Sequence, residues 1–303
     1  MRGVVELRDR QEIVYERRRG TLAQIALRFQ QNPLSIVGLL LILFMLVVAA
    51  TGPLFIPYPS DVTGAIHIDK RLKPPSRDHY FGTDEVGRDI FSRVVAGSRL
   101  SLGVGVIVLV IATGIGVTLG TIAGYFGGRV ETLIMRITDV FLTIPGLILA
   151  MAISAALGPG IPNVMLAISL VWWPGYCRLM RAVVLSLKEQ AFVEAARTVG
   201  VRESRVIFRH LLPNAVSPII VKASMDFGFA VLTTASLGFI GLGAQPPTPD
   251  WGKMLADGRR YLPEAWWYST FPGLAIFLIV LGFNLLGDGL RDILDPRLRF
   301  RGE

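Results

Sequence analysis

Apolar runs long enough to cross a bilayer recur along the chain, and most charged residues fall between them. A spanning helix takes about 20 mainly apolar residues. Leu34 to Ile56 supplies 23 residues without a charge, and Leu100 to Phe126 is likewise uncharged. Leu133 to Leu157 carries Arg136 and Asp139 near its start. From Phe141 to Cys177 no charge occurs, too long a run for one helix, but Gly158, Pro159, Gly160 and Pro162 break it into a tight hairpin. Three further runs follow: Val164 to about Leu185, Ser217 to Leu242 with Lys222 and Asp226 inside it, and Trp266 to Gly287, which stops before Asp288. The pattern predicts an all-α polytopic membrane protein with six transmembrane helices.

Small residues crowd the second run at Gly103, Gly105, Gly114, Gly116, Gly120 and Gly124, which predicts a helix that packs closely against other helices. Pro145 and Pro174 fall inside the third and fourth runs, where each removes a helix hydrogen bond and favours a kink. Ahead of the first run, Leu22, Ile25 and Phe29 recur at helical spacing, as in a helix lying on a membrane surface. Between the first two runs, Ile90, Phe91, Val94 and Val95 oppose Arg88, Asp89, Ser92 and Arg93, predicting a helix over the outer mouth. Trp251, Trp266 and Trp267 fit an outer aromatic belt.

Composition agrees with the pattern. Of 303 residues, 52% are hydrophobic and 18% charged, against about 25% charged in a soluble domain. The net charge of +8 comes from arginines grouped between apolar runs rather than in one stripe with aromatics, so a nucleic-acid partner is not expected. A charged leader precedes the first run, which exceeds the length of a signal-peptide core, so an uncleaved first transmembrane helix is expected. With six spans and a cytoplasmic N-terminus, the inside segments hold about twice as many Lys and Arg as the outside loops. The C-terminus then lies inside too. The loop Tyr58 to Arg99 counts against this, with seven basic residues outside. Cys177, the single cysteine, cannot form a disulfide within the chain.

One stretch between spans is polar: "EAARTVGVRESRVIFRHLLPNAV", residues 194 to 216. Phe192, Ala195, Ala196 and Val199 form an apolar face opposite Glu194 and Arg197. Gly200 permits a sharp turn. A second helix follows, with Val206, Ile207, Leu211 and Leu212 apolar and Arg202, Arg205 and Arg209 polar, and Pro213 marks the return to a span. Such a knob suits insertion into a groove on another protein. Glu194, Ala195, Ala196, Gly200, Leu212 and Pro213 stand at the spacing of the cytoplasmic "EAA" loop, so the chain resembles the permeases of binding-protein-dependent ABC importers. His210 occupies a position where that family usually has isoleucine. The stretches "FGTDEVGRDIFSRVVAGSRLSL", "MRITDVFLTIPGLILA", "SLGFIGLGAQPPTPDWG" and "NLLGDGLRDILDPRLR" resemble the C-type subunit of its dipeptide, oligopeptide and nickel branch.

That resemblance implies a type I importer fold, an N-terminal helix plus a five-helix core, in a bacterial inner membrane. Residues 1–97 would form the tail, first helix and extracytoplasmic loop, 98–289 the core with its coupling loop at 190–213, and 290–303 a cytoplasmic tail. Its implied partners are a second, homologous permease in a heterodimer, two ATPases on the cytoplasmic side and an extracytoplasmic solute-binding protein. ATP and Mg²⁺ would bind in the ATPases. Glu194 would make a charged contact there. The chain itself lacks a P-loop, Gly252 and Lys253 being followed by Met254, and His67, His79 and His210 have no metal-ligand spacing, so neither a catalytic residue nor a metal site is expected. Arg136 and Asp139, at i and i+3, are expected to form a structural ion pair. Asp226 and the cluster Trp172, Trp173 and Tyr176 around Pro174 are candidates for a translocation path, with core packing the alternative. Di- or oligopeptides are the expected substrates, with nickel or glutathione on the same machinery, or an ion-gradient transporter, as alternatives.

Overall fold

Asn32 starts the first helix: its side chain accepts the amides of Leu34 at 3.2 Å and Ser35 at 3.3 Å, satisfying donors that have no partner within the helix. A computed structural model describes residues 32–294. The amphipathic pattern at Leu22, Ile25 and Phe29 lies outside them. The helices are α1 Pro33–Phe55, α2 Pro59–Thr63, α3 Ile90–Phe126, α4 Gly128–Thr143, α5 Gly146–Leu157, α6 Ile161–Lys188, α7 Ala191–Thr198, α8 Glu203–Arg205, α9 Leu212–Phe239, α10 Trp251–Gly258 and α11 Trp266–Leu294. No strand forms among the described residues, where one isolated bridge joins Thr83 and Asp89.

Four stretches, Pro33–Gly52, Ile90–Phe126, Glu203–Phe239 and Trp266–Asp292, are long and apolar enough to cross a membrane. The pair α4 and α5, bent by 90°, supplies a fifth. That bend replaces the expected kink at Pro145, which ends one helix and starts the next. The sixth expected span, α6, has 28 residues, about 42 Å of helix. Arg178, Arg181 and Lys188 in its second half lower its apolar character, and residues along its length from Val164 to Val184 are buried against neighbouring helices.

The most extensive helix contact joins α3 to α6. A Cβ on Gly116 would stand 2.6 Å from the Trp173 carbonyl oxygen, one on Gly120 2.5 Å from that of Cys177, and one on Gly124 2.9 Å from that of Arg181. Three glycines four residues apart thus let backbone press on backbone. Gly103 and Gly114, expected to pack as well, have nothing within 4 Å of a Cβ.

The loop before α3 forms a cap on one end of the bundle. The expected helix over the mouth is instead the beginning of α3, so the boundary expected at 97/98 falls inside a helix. Charge does not stop the helix there because each charged group finds a partner. Asp89 caps α3 by accepting the Ser92 amide at 2.7 Å and faces His79 Nδ1 at 3.0 Å. Asp61 accepts the Asp89 amide at 2.8 Å, and Arg88 Nε donates to Asp84 at 2.7 Å. These three carboxylates are each 1% exposed. Arg93 Nη1 donates to the carbonyls of Asp61 at 2.9 Å and Pro247 at 3.2 Å, tying the cap to the loop before α10. Arg99 donates to the carbonyls of Ala49 and Ala50 in α1. Pro53, without an N–H, leaves the Ala49 carbonyl free of its helical partner, and Arg99 fills that gap.

Trp251 and Trp267 do not belong to an outer belt. Trp251 is 1% exposed, donates to the Val94 carbonyl at 2.9 Å and sits where a side chain on Gly97 would be. Trp267 is buried and donates to the Thr83 carbonyl. Trp266 alone of the three is exposed. Asp250 closes the same end: it caps α10 by accepting the Gly252 amide at 2.9 Å and takes the Ala244 amide at 3.1 Å. Burial pushes its carboxyl up from the ordinary carboxylate value, against the pull of those amides.

Two outcomes follow. Gly120→Leu should cost about 1–3 kcal/mol by forcing α3 from α6, seen as a lower melting temperature in detergent, whereas Gly114→Leu should leave it unchanged. Asp250→Ala should cost about 1–2 kcal/mol through the lost cap; equal melting of Asp250→Ala and the unaltered protein would show that the loop holds without it.

Candidate functional site

The polar stretch between α6 and α9 folds as a hairpin at the end of the bundle opposite the cap. Its first helix, α7, stops in a Schellman turn: Val201 donates to Ala196 at 3.0 Å and Gly200 to Arg197 at 2.9 Å. Gly200 adopts φ +75° with nothing within 4 Å of a Cβ, so its backbone conformation and not its size is what the site needs. Beyond it, the chain rises through α8 and a π-helical turn, Val206–Leu211, directly into α9. Pro213 therefore does not separate a second short helix from a span, as expected from its sequence position. The stretch Glu203–Phe239 is one continuous helix. A wide turn just ahead of a proline relieves the clash of its ring with the carbonyl four residues back.

The face of α7 that packs inward also differs from expectation. Val193 and Ala196 are the buried residues, joined in one core with Val206, Leu211 and Ala215. Phe192, Ala195 and Val199 are exposed, Val199 by 77%. They recur at i, i+3 and i+7, so they form an apolar stripe facing away from the bundle, with Glu194 exposed beside it. Leu212 is partly buried and Pro213 exposed on the rising limb. His210 is partly buried, and its carbonyl accepts the Asn214 side chain at 2.6 Å.

Cationic side chains bind the hairpin to the spans. Lys188 Nζ lies 3.4 Å from the carbonyls of Gly124 and Tyr125, where it meets the negative end of α3. The Arg197 guanidinium stacks 5.2 Å from the centre of the buried Tyr125 ring. Arg181 of α6 pairs with Glu131 of α4. Asp139 pairs with Arg178 of α6 at 2.6 Å, not with Arg136. Asp139 points across to α6 while Arg136 is exposed, so a bridge between helices replaces the expected pair within α4. No local spacing signals these bridges, since Arg178 and Arg181 stand three residues apart on α6 and their acids eight apart on α4.

Half-way along α6 and α9 lies a second constellation. Lys222 Nζ is 2.9 Å from Asp226 Oδ2 and 5.0 Å from the Tyr176 ring centre, packed over Gly175. The buried Tyr176 hydroxyl, without a hydrogen bond of normal geometry, sits beside Asp226 and Thr113. Trp173 is 5% exposed and packs edge-on against Phe141, which makes it part of the core; Trp172 is partly buried between two apolar clusters. On α9, Lys222, Asp226, Phe229, Thr233, Ser236 and Ile240 are all at least partly exposed and are spaced alternately four and three residues apart. They form one stripe along the helix. It runs into an open apolar cleft of about 590 Å³ between Leu232, Phe239 and Ile240 of α9, Leu147 of α5 and Phe277 of α11.

Comparison with known proteins agrees with this architecture. Residues 116–300 match the family model for the binding-protein-dependent transport system inner membrane component, and residues 21–75 that for the N-terminal transmembrane domain of oligopeptide transport permease C. The chain is 48% identical to a dipeptide transport system permease protein of Alkalihalophilus pseudofirmus, over 90% of this chain and 88% of that one. It is 47% identical to a probable D,D-dipeptide transport system permease protein of Escherichia coli, over 91% of each. A glutathione transport system permease protein of Pectobacterium atrosepticum is 43% identical over 90% of each chain. A chain of the MetNI methionine ABC transporter in an inward-facing conformation shares the fold, with TM-score 0.53 and 19% identity over 66% of this chain and 95% of that one. The type I importer fold and the multi-pass inner-membrane character agree with these matches, and the chain belongs to the binding-protein-dependent ABC importer permeases as a C-type transport subunit, in a family whose ATP chemistry resides in separate ATPase subunits.

Proposed function

We propose that this permease imports di- or oligopeptides as half of a translocation unit completed by a second, homologous permease. Two ATPases dock at the hairpin end, which faces the cytoplasm together with both termini, and a solute-binding protein delivers the peptide to the cap end. The observation that carries this reading is the hairpin: a helix held inward by Val193 and Ala196 presents an outward apolar stripe, Phe192, Ala195 and Val199, next to a free carboxylate, Glu194. An apolar stripe in water is unfavourable unless a groove covers it. In this reading Glu194, Ala195, Ala196, Gly200, Leu212 and Pro213 form the coupling element, Ala196, Leu212 and Gly200 shaping it and Glu194 and Ala195 touching the ATPase. Closure of the ATPases on ATP would push on α7, and the continuous helix Glu203–Phe239 would carry that push to mid-membrane.

The path itself is assigned to the stripe on α9 with Asp226 at its centre, flanked by the Tyr176 hydroxyl and Trp172. A charge at the middle of a span costs about 2.5–3.5 kcal/mol on insertion scales, so a partly exposed ion pair there belongs on a surface that lipid does not cover. Relatives named for dipeptide, D,D-dipeptide and glutathione transport support peptides as the class carried. Residues 1–97, 98–289 and 290–303 keep their proposed roles as tail with first helix and loop, core, and terminal tail, with the first boundary moved ahead of Ile90 to respect α3 and the second moved past Leu294 to respect α11.

Two tests address coupling. Gly200→Val should abolish ATP-dependent uptake in proteoliposomes while leaving membrane insertion intact, whereas Gly200→Asn, a residue that tolerates positive φ, should keep most of it. Val199→Asp should release the ATPases during co-purification and reduce uptake at least tenfold. Wild-type uptake by both Gly200→Val and Val199→Asp, insensitive to ATP depletion, would overturn the importer reading.

A further inference from the structure

We infer that Lys222 and Asp226 form a charge-exchange site that accepts the two termini of a zwitterionic peptide at mid-membrane. This rests on the reading of the chain as a peptide permease. Both charges lie half-way along α9, against Gly175 and Tyr176 half-way along α6. Their side chains remain accessible, Lys222 by 33% and Asp226 by 19%. The pair is therefore neither sealed in the core nor suited to lipid.

Three features make it able to open. The lysine precedes the aspartate by four residues, the weaker order for a helical pair because it opposes the helix dipole. Each partner also has a second contact beside it: the Tyr176 ring lies under the lysine ammonium, and the Tyr176 hydroxyl, buried without a hydrogen bond of normal geometry, stands beside the aspartate. The stripe continues outward through Phe229, Thr233 and Ser236 into the open apolar cleft, so a ligand leaving that cleft for the pair meets two hydroxyls and an aromatic ring on the way.

The exchange balances charge at each stage. Without a ligand, Lys222 and Asp226 neutralise each other. With a peptide present, its carboxylate takes the Lys222 ammonium and its own ammonium takes Asp226, with the Tyr176 hydroxyl and ring as supporting contacts. Net charge at the site is zero before and after, so no unpaired ion is left in a low-dielectric region. When the peptide leaves, the internal pair re-forms. A ligand with only one charge leaves either the lysine or the aspartate uncompensated, which is the basis of discrimination. A divalent cation meets one carboxylate and a repelling ammonium.

The test uses the importer assembled with its co-purifying permease and ATPases in lipid nanodiscs, without binding protein, and saturation-transfer NMR with millimolar dialanine, its C-terminal amide and its N-acetyl form. Wild type should bind dialanine best. Lys222→Met should lose dialanine and the acetyl form at least fivefold while retaining the amide, and Asp226→Asn should lose dialanine and the amide while retaining the acetyl form. Uptake of dialanine in proteoliposomes with binding protein, the second measurement, should fall at least tenfold in both variants, with ATPase stimulation by loaded binding protein retained as the sign of an intact fold. Equal signals for all three peptides in every variant, or equal losses for all three, would overturn the exchange and leave the pair structural. Wild-type uptake of dialanine without any NMR contact would overturn the exchange alone. Absence of both would overturn the peptide reading with it.

Discussion

Backbone contact between α3 and α6 through Gly116, Gly120 and Gly124 is the constraint on which the other placements depend. In lipid, apolar side chains gain little by leaving one hydrocarbon for another, so close backbone packing has to supply the attraction between helices. The three glycines lie against the stretch from Trp173 to Val184, and that stretch carries the residues with special roles. Tyr176 is set toward α9, Arg178 and Arg181 are set toward the acids of α4, and Lys188 reaches the end of α3. A side chain on Gly120 would move all of them together.

The same core extends without interruption from mid-membrane to the hairpin. Tyr176, Met180 and Val184 of α6, Tyr125 of α3, Val193 and Ala196 of α7, and Val206, Leu211 and Ala215 of the rising limb belong to one buried cluster. Close-packed interiors transmit displacement rather than absorb it. Under the proposed coupling, a push on the stripe of Phe192 and Val199 would be carried to where Tyr176 meets Lys222 and Asp226, by packing through the cluster and by the continuous helix from Glu203. The π-helical turn at Val206–Leu211 lies between the two and is the local irregularity at which such a helix can change its twist.

Span positions, the glycine-rich approach of α3 and the turn at Gly200 were legible in the sequence, because each depends on local composition or on spacing within one segment. What was not legible depended on a partner far along the chain. Arg136 and Asp139 have ideal spacing, yet Arg178, 39 residues away from Asp139, takes the carboxylate. Charges at Arg93 and Arg99 looked like the end of a loop, but carbonyls of Asp61, Pro247, Ala49 and Ala50 satisfy them inside or beside a helix. Trp251 and Trp267 have the composition of a belt and the hydrogen bonds of a core. On α7, which of two apolar faces turns inward was decided by Val206 and Leu211 beyond the turn, and periodicity alone could not choose between them.

The ion pairs of the molecule differ widely in burial, and burial decides how readily each can open. In the cap, carboxylates of Asp61, Asp84 and Asp89 are almost fully buried and each has partners from more than one direction, so opening any one leaves an uncompensated buried charge. Just past the middle of α6, Arg178 and Asp139 are about half exposed, and a pair of that kind contributes about 0–1 kcal/mol. Such bridges can break and re-form during a cycle at little cost. Lys222 and Asp226 lie between these extremes, less buried than the cap and less exposed than Arg178 with Asp139. An intermediate exposure is what a pair must have if it is to hold when the path is empty and part when a second set of charges arrives.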